Sequence, residues 1–211
     1  MKKLFTLYLL SRSLSLFAVE PMGYYKDAVG KTGAELKTAL SGIVENHVER
    51  TYPNLWTDFQ TTDKRADGKV WDMYSNCNFT FGTPHQDSGS GGTAECQFYN
   101  REHSFPKSWF GNATPMYTEL FHLYPTDKFV NSERSNFPFG ETSTPSATYS
   151  NGSKSGNSTF AGYSGTIFEP TNEYKGDFAR TYFYMVTSYE NKVASWTSDQ
   201  LARNKYPALS S

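Results

Sequence analysis

The stretch YNREHSFPKSWF sets an acid beside an imidazole at Glu102-His103, with Arg101 before them and Pro106 and Trp109 close behind. Alone, such a pair is a solvated turn far more often than a site, because short motifs carry little information. Asn131 changes that weighing. It stands in FVNSERSN, beyond the run LFHLY and the turn Pro125-Thr126-Asp127. An acid, an imidazole and an amide in this order meet the needs of phosphodiester hydrolysis. Water must lose a proton, and a histidine titrating near neutrality is suited to take it. A divalent cation must neutralise charge growing on the phosphate and the leaving oxygen. Mg²⁺ prefers hard oxygen ligands and keeps several waters, so one carboxylate and one amide suffice when the substrate supplies the rest.

The elements that must position these groups read as follows. Gln97 to Arg101 and Leu120 to Tyr124 are strands, and Lys128 to Ser135 is a helix opened by the Pro125-Thr126-Asp127 turn. That order is a ββα unit. Neighbours on a regular strand face opposite sides, so Glu102 and His103 can serve one site only if the strand ends or bulges there. Upstream, Thr32 and Glu35 fit a capping box, and Leu36, Leu40, Ile43, Val44 and Val48 recur at helical spacing as far as Pro53. Asp67-Gly68 marks a turn, and Val70 to Tyr74 alternates like a strand. Asp177 to Lys192 is a second helix, with Phe178, Tyr182, Met185, Val186 and Tyr189 on one side. The Ser/Thr/Gly/Asn-rich stretch from Gly140 to Gly165 reads as a long surface excursion or lid. Of the other histidines, His47 reads as a half-buried structural residue, His85 as solvated, and His122 as a core or supporting residue and not a ligand.

Three blocks carry a resemblance: YNREHSFPKSWF, ELFHLYPTDKFVNSERSNFPFGE and FEPTNEYKGDFARTYFYM. In that order they resemble the bacterial endonuclease I family, exported non-specific nucleases with a ββα-metal (His-Me finger) site. VWDMYSNCNFTFG and TGAELKTAL fit its secreted branch, and the resemblance runs from about Gly23 to Tyr206. It implies an α+β fold with flanking helices and long surface loops, and cleavage to 5′-phosphate and 3′-OH ends. By position, His103 matches the general base, Glu102 the carboxylate ligand of the metal, and Asn131 the amide ligand. Mg²⁺ is the implied ion, with Mn²⁺ or Ca²⁺ as substitutes. Arg134 shares a helix face with Asn131. Arg134 and, on another element, Arg180 are candidates for forked phosphate contacts, a structural ion pair being the other reading of each. Glu119 stands where the family more often has aspartate. Secreted members continue past a segment like ARNKYPAL, whereas this sequence stops at Ser211, which implies truncation at the C-terminus.

Composition bounds these readings. The chain has 211 residues, a formal net charge of −1 and 17 % aromatic residues, which fits one folded domain over 19–211 and no blanket of positive charge. No apolar run is long enough to span a bilayer. Lys2, Lys3 and the apolar segments Leu4 to Leu10 and Leu14 to Val19 read as a signal peptide over 1–18, and so as a secreted or periplasmic product. Cys77 and Cys96 are the two cysteines of the sequence. In an exported chain they form one disulfide, and otherwise two buried thiols. The expected partner is nucleic acid, DNA with RNA as a further substrate, gripped by its backbone by a monomer without membrane insertion. The rival readings are a secreted glycan-binding module, a glycosidase with Glu102 and Glu119 as its acid pair, and an inactive truncated relative.

Overall fold

The structure, a computed structural model, describes residues 20–196. The expected signal peptide and the segment 197–211 lie outside the described residues. After a short 3-10 turn, helix α1 spans Gly33–Val44 and packs against a later helix. Its stripe of Leu36, Leu40, Ile43 and Val44 is half-buried, as the spacing predicts. The helix stops well before Pro53, so Val48 lies off the stripe and is 78 % exposed. Thr32 is the N-cap, but its side chain makes no capping bond, so the predicted capping box is not formed. Helix α2, Leu55–Thr62, buries Leu55 and Phe59 one turn apart, and both pack with Leu123.

The Asp67-Gly68 turn forms, closed by Gly68 N–H to the Arg65 carbonyl (2.9 Å), with Gly68 at φ 81°. The strand expected over Val70 to Tyr74 does not. Val70 makes one bridge, with Lys64, and then the Asp72 side chain takes over the local backbone, accepting from Tyr74 N (2.8 Å) and Ser75 Oγ (2.5 Å). A buried carboxylate that satisfies nearby donors competes with any ladder.

Strand β1, Tyr99–His103, pairs antiparallel with β2, Leu123–Asp127, in regular register from Tyr99↔Asp127 to His103↔Leu123. The second strand thus starts later than its apolar run indicates, because Leu120–His122 closes into a 3-10 turn. Pro125 is tolerated within β2 because this is a sheet of only two strands. Helix α3, Lys128–Arg134, follows β2 directly. Asp127 is its cap: Oδ1 accepts from Val130 N (3.0 Å), while Oδ2 accepts from Cys96 N (2.7 Å). Cys96 is itself bonded to Cys77, with Cα atoms 5.1 Å apart.

The Gly140 to Gly165 stretch is not a lid. It builds most of an antiparallel sheet of β3 (Pro145–Thr148), β4 (Lys154–Asn157) and β5 (Thr166–Glu169). The β3–β4 turn is set by Gly152 at φ 91° and by Tyr149 N–H to the Ser153 carbonyl (2.8 Å). Gly156 is required by close packing, since a Cβ there would come within 2.6 Å of Thr142 Oγ1. Tyr149 and Phe168 turn inward from this sheet onto Tyr74, Val130 and Phe178. Helix α4, Lys175–Ser188, buries Phe178, Thr181, Met185 and Ser188, and α1 packs on it. It breaks at Tyr189 and resumes as α5, Glu190–Val193. A second cluster of Phe105, Trp109, Phe110, Met116, Met185 and Trp196 fills the space behind the end of β1. Among the described residues the fold is mixed α+β with two small antiparallel sheets.

Candidate active site

Strand β1 reaches its last paired residue at His103 without a bulge. Ser104 then turns away, its N–H and hydroxyl both donating to the His122 carbonyl (3.0 and 2.8 Å). The strand ends directly after the pair, with Glu102 turned to Tyr74 and Arg134 and His103 turned to the Tyr117 carbonyl. Glu102, His103 and Asn131 all line one polar cavity of about 430 Å³, together with Asn100, Arg101 and Lys107.

Glu102 is buried. Its Oε1 accepts from Tyr74 Oη (2.8 Å) and from Arg134 Nη1 (2.5 Å). Both of these side-chain donors sit on one oxygen, so neither occupies Oε2. Burial pushes the Glu102 carboxyl up; the Arg134 guanidinium and the Tyr74 hydroxyl oppose this. Burial also drives the Tyr74 phenol well above its ordinary range, with Arg134 opposing and Glu102 reinforcing, so Tyr74 stays a donor. Asn131 Nδ2 donates to Asn100 Oδ1 (2.7 Å). That bond commits the amide nitrogen and leaves the amide oxygen to act as a ligand.

His103 Nε2 donates to the Tyr117 carbonyl (2.9 Å). A carbonyl only accepts, so the proton is on Nε2 and the lone pair on Nδ1. The ring packs against two adjoining tyrosines, Tyr52, stacked at 6.0 Å, and Tyr117 at 5.0 Å. Burial, then His122, Lys107 and Arg101, pull its proton affinity down to about 3, with the Tyr117 carbonyl opposing. The imidazole is neutral at neutral pH, the form that can accept a proton.

Arg134 is not where a phosphate contact requires it. Its side chain is fully buried, with Nη1 also donating to the His103 carbonyl (2.9 Å), Nη2 to the Ser104 carbonyl (2.6 Å), and its plane over Phe139 at 4.6 Å. The forked contact is made to the protein, so of the two readings the ion pair is realised. Arg180 is exposed on α4, pairs with Asp177 one turn before it, and is not among the residues lining the cavity. His122 is buried, donates from Nε2 to the Met116 carbonyl (2.7 Å), and stands 5.5 Å from the His103 ring, as a supporting residue. His85 is only partly exposed: its Nδ1 accepts from Thr80 N (3.0 Å), so it is a structural residue of its loop and not a solvated one. Glu119 faces a different pocket, shared with His47, and is enclosed by His47 Nε2 (2.7 Å), Tyr189 Oη (2.9 Å) and Phe121 N (3.2 Å). Glu102 and Glu119 therefore do not face each other as an acid pair. Tyr74, Asn100 and Tyr117 had no signal in the sequence; only the folded geometry brings them to the site.

Residues 32–208 match the profile of the family described as Endonuclease I. The chain belongs to the endonuclease I family. It is also 36 % identical over 173 residues to an extracellular ribonuclease of Bacillus amyloliquefaciens, covering 79 % of this chain and 53 % of the relative. An extracellular ribonuclease of Bacillus subtilis (strain 168) is 34 % identical over 171 residues, 79 % of this chain and 54 % of the relative. The chain thus spans about half the length of these curated relatives. Among the described residues no three His, Cys, Asp or Glu side chains cluster as a metal site, and no helix is long and apolar enough to cross a membrane.

Proposed function

We propose that this chain is an exported, Mg²⁺-dependent, sequence-non-specific endonuclease with a His-Me finger site, hydrolysing DNA and RNA to 5′-phosphate and 3′-OH ends. The observation that carries this reading is the convergence of a carboxylate, an imidazole and an amide from the end of β1 and from α3 on one polar cavity. RNA enters on the names of the two Bacillus relatives. Export is supported by the Cys77–Cys96 bridge and by those extracellular relatives. One nuclease domain over 19–211 is the corresponding domain assignment.

The donor set fits Mg²⁺. Glu102 keeps one carboxylate oxygen, and Asn131 keeps its amide oxygen, both hard ligands, in a cavity with room for waters and a phosphate. When bound there, the ion would supply charge neutralisation for the phosphate and the leaving oxygen. His103 would take the proton of the attacking water at Nδ1, its ring held by the Tyr117 carbonyl on the far side. The incoming phosphodiester brings negative charge to the imidazole and so raises its proton affinity toward neutrality. Tyr74 and Arg134 hold the Glu102 carboxylate in one orientation.

The test is digestion of plasmid DNA and of single-stranded RNA with Mg²⁺ and with EDTA. The expected result is cleavage of both substrates, abolished by EDTA and restored by excess Mg²⁺. Cleavage indifferent to chelation would overturn the metal assignment, and no cleavage of either substrate would leave a binding protein.

A further inference from the structure

With Arg134 buried and Arg180 outside the cavity, the chain needs other cations to hold the substrate. We infer that Arg101 and Lys107 are the phosphate clamps, two cations that rest on a pair of adjoining tyrosines packed against His103. This rests on the nuclease reading and deepens it.

Both side chains line the cavity that holds Glu102, His103 and Asn131. The Arg101 guanidinium lies over the Tyr52 ring at 3.6 Å and over the Trp56 ring at 4.2 Å, and its Nη1 donates to the Tyr52 carbonyl (2.8 Å). Lys107 Nζ lies over the Tyr117 ring at 5.5 Å. Tyr52 and Tyr117 are 4.7 Å apart and each packs against the His103 ring. The three rings therefore form one cluster, with Arg101 on Tyr52 and Lys107 on Tyr117.

Among the described residues no carboxylate pairs with either charge, whereas Arg50, Arg134 and Arg180 pair with Asp58, Glu102 and Asp177. Glu102, the one carboxylate among the described residues that line the cavity, is neutralised by Arg134 from behind. The cavity mouth is thus net positive, and its natural ligand is an anion. The two cations differ in kind. Arg101 is fixed by aromatic faces and one carbonyl, so it offers the rest of its fork without losing much freedom, which suits a bidentate phosphate contact. Lys107 is a point charge on a flexible stem and suits a neighbouring phosphate along the strand.

The experiment is fluorescence anisotropy of a labelled single-stranded RNA oligonucleotide in EDTA, titrated with the parent chain and with Arg101→Gln, Arg101→Lys and Lys107→Gln. It is repeated between about 50 and 200 mM salt, and cleavage with Mg²⁺ is measured in parallel. Each lost phosphate contact should flatten the salt dependence, so the parent should lose about threefold more affinity over this range than either glutamine variant. Arg101→Lys keeps the charge but not the fork. It should keep the parent slope while binding more weakly at every salt concentration. Parent-like slopes in both glutamine variants, with the parent still binding and cleaving, would overturn the clamp alone. A parent that neither binds nor cleaves nucleic acid would overturn the nuclease reading instead. Should Arg101→Gln fail to fold, because Tyr52 and Trp56 lose what lies between them, Lys107→Gln and Arg101→Lys still decide the matter, with thermal melts to show that they are folded.

Discussion

Arg134 is charged and wholly enclosed, which is costly unless the charge is paired and hydrogen-bonded. It meets Glu102 and the carbonyls of His103 and Ser104, the three residues that end β1. Its work is to hold that end of the strand, and with it the two side chains on which the proposed chemistry depends. Arg134→Ala should therefore destabilise the fold by about 3–5 kcal/mol, the range for breaking a buried pair and stranding its partner. Urea unfolding measures this; an unchanged midpoint together with a flattened salt dependence of binding would return Arg134 to the surface role. His103→Ala should do the opposite. Its partner is a backbone carbonyl beside two tyrosines, so the fold and much of the nucleic-acid binding should survive, while hydrolysis falls by roughly 10²–10⁴-fold. Parent-like cleavage by His103→Ala would remove it as the base. As candidates, Glu102, His103 and Asn131 were legible in the sequence from residue type, order and resemblance. The depth of Arg134 was not, because three-residue spacing fixes which helix face a side chain shares and says nothing of whether that face is covered.

At the scale of elements, the pattern of the ββα unit and of α1 and α4 could be read because their apolar residues repeat at helical spacing or sit beside clear turn signals. The three-stranded sheet could not. Strands β3 and β4 are built mainly of Ser, Thr, Gly and Lys, and the residues turned inward, Tyr149 just past β3 and Ile167 and Phe168 in β5, mark no alternation. Val70 to Tyr74 misled in the other direction, since its alternating pattern is overridden by the hydrogen bonds of Asp72. The disulfide ties these levels together. Cys96 donates its N–H to the same Asp127 carboxylate that caps α3, the helix of Asn131. Reduction should cost about 3 kcal/mol of stability, the chain-entropy figure for a loop of this length, where the separation is 19 residues. The midpoint of urea unfolding with and without reductant reads this. Because α3 should loosen at its capped end, reduction should also raise the Mg²⁺ concentration needed for half-maximal cleavage before the chain unfolds. A reduced protein with parent stability and parent metal demand would separate the bridge from the site.

For the molecule as a whole, the buried titratable groups set how stability responds to acid, and they act in two directions. His122 is fully enclosed, and burial lowers it from 6.5 to about 4, with Arg134 adding and the Met116 carbonyl opposing. His103 moves the same way. The unfolded chain binds these protons first, so the stability they contribute is complete above about pH 6.5 and is lost as pH falls toward 4. Buried carboxylates do the reverse. Burial raises Asp72 to about 7 and Asp63 to about 6, so the folded state binds those protons first and gains stability as pH falls from 7 toward 4. The parent should therefore show a shallow stability profile over this range, the sum of opposed slopes. His122→Gln isolates one of them. Glutamine can still donate to the Met116 carbonyl, and any packing it loses lowers stability equally at every pH, so the slope alone carries the test. Without the histidine, stability should rise less with pH between 4 and 6.5, or fall more, by about 1.4 kcal/mol per pH unit relative to the parent. Urea unfolding at pH 4.5, 5.5 and 6.5 compares the two slopes. Parallel profiles would mean that His122 takes up its proton in the folded chain as readily as in the unfolded one, and that its enclosure behind His103 opens to water on that timescale.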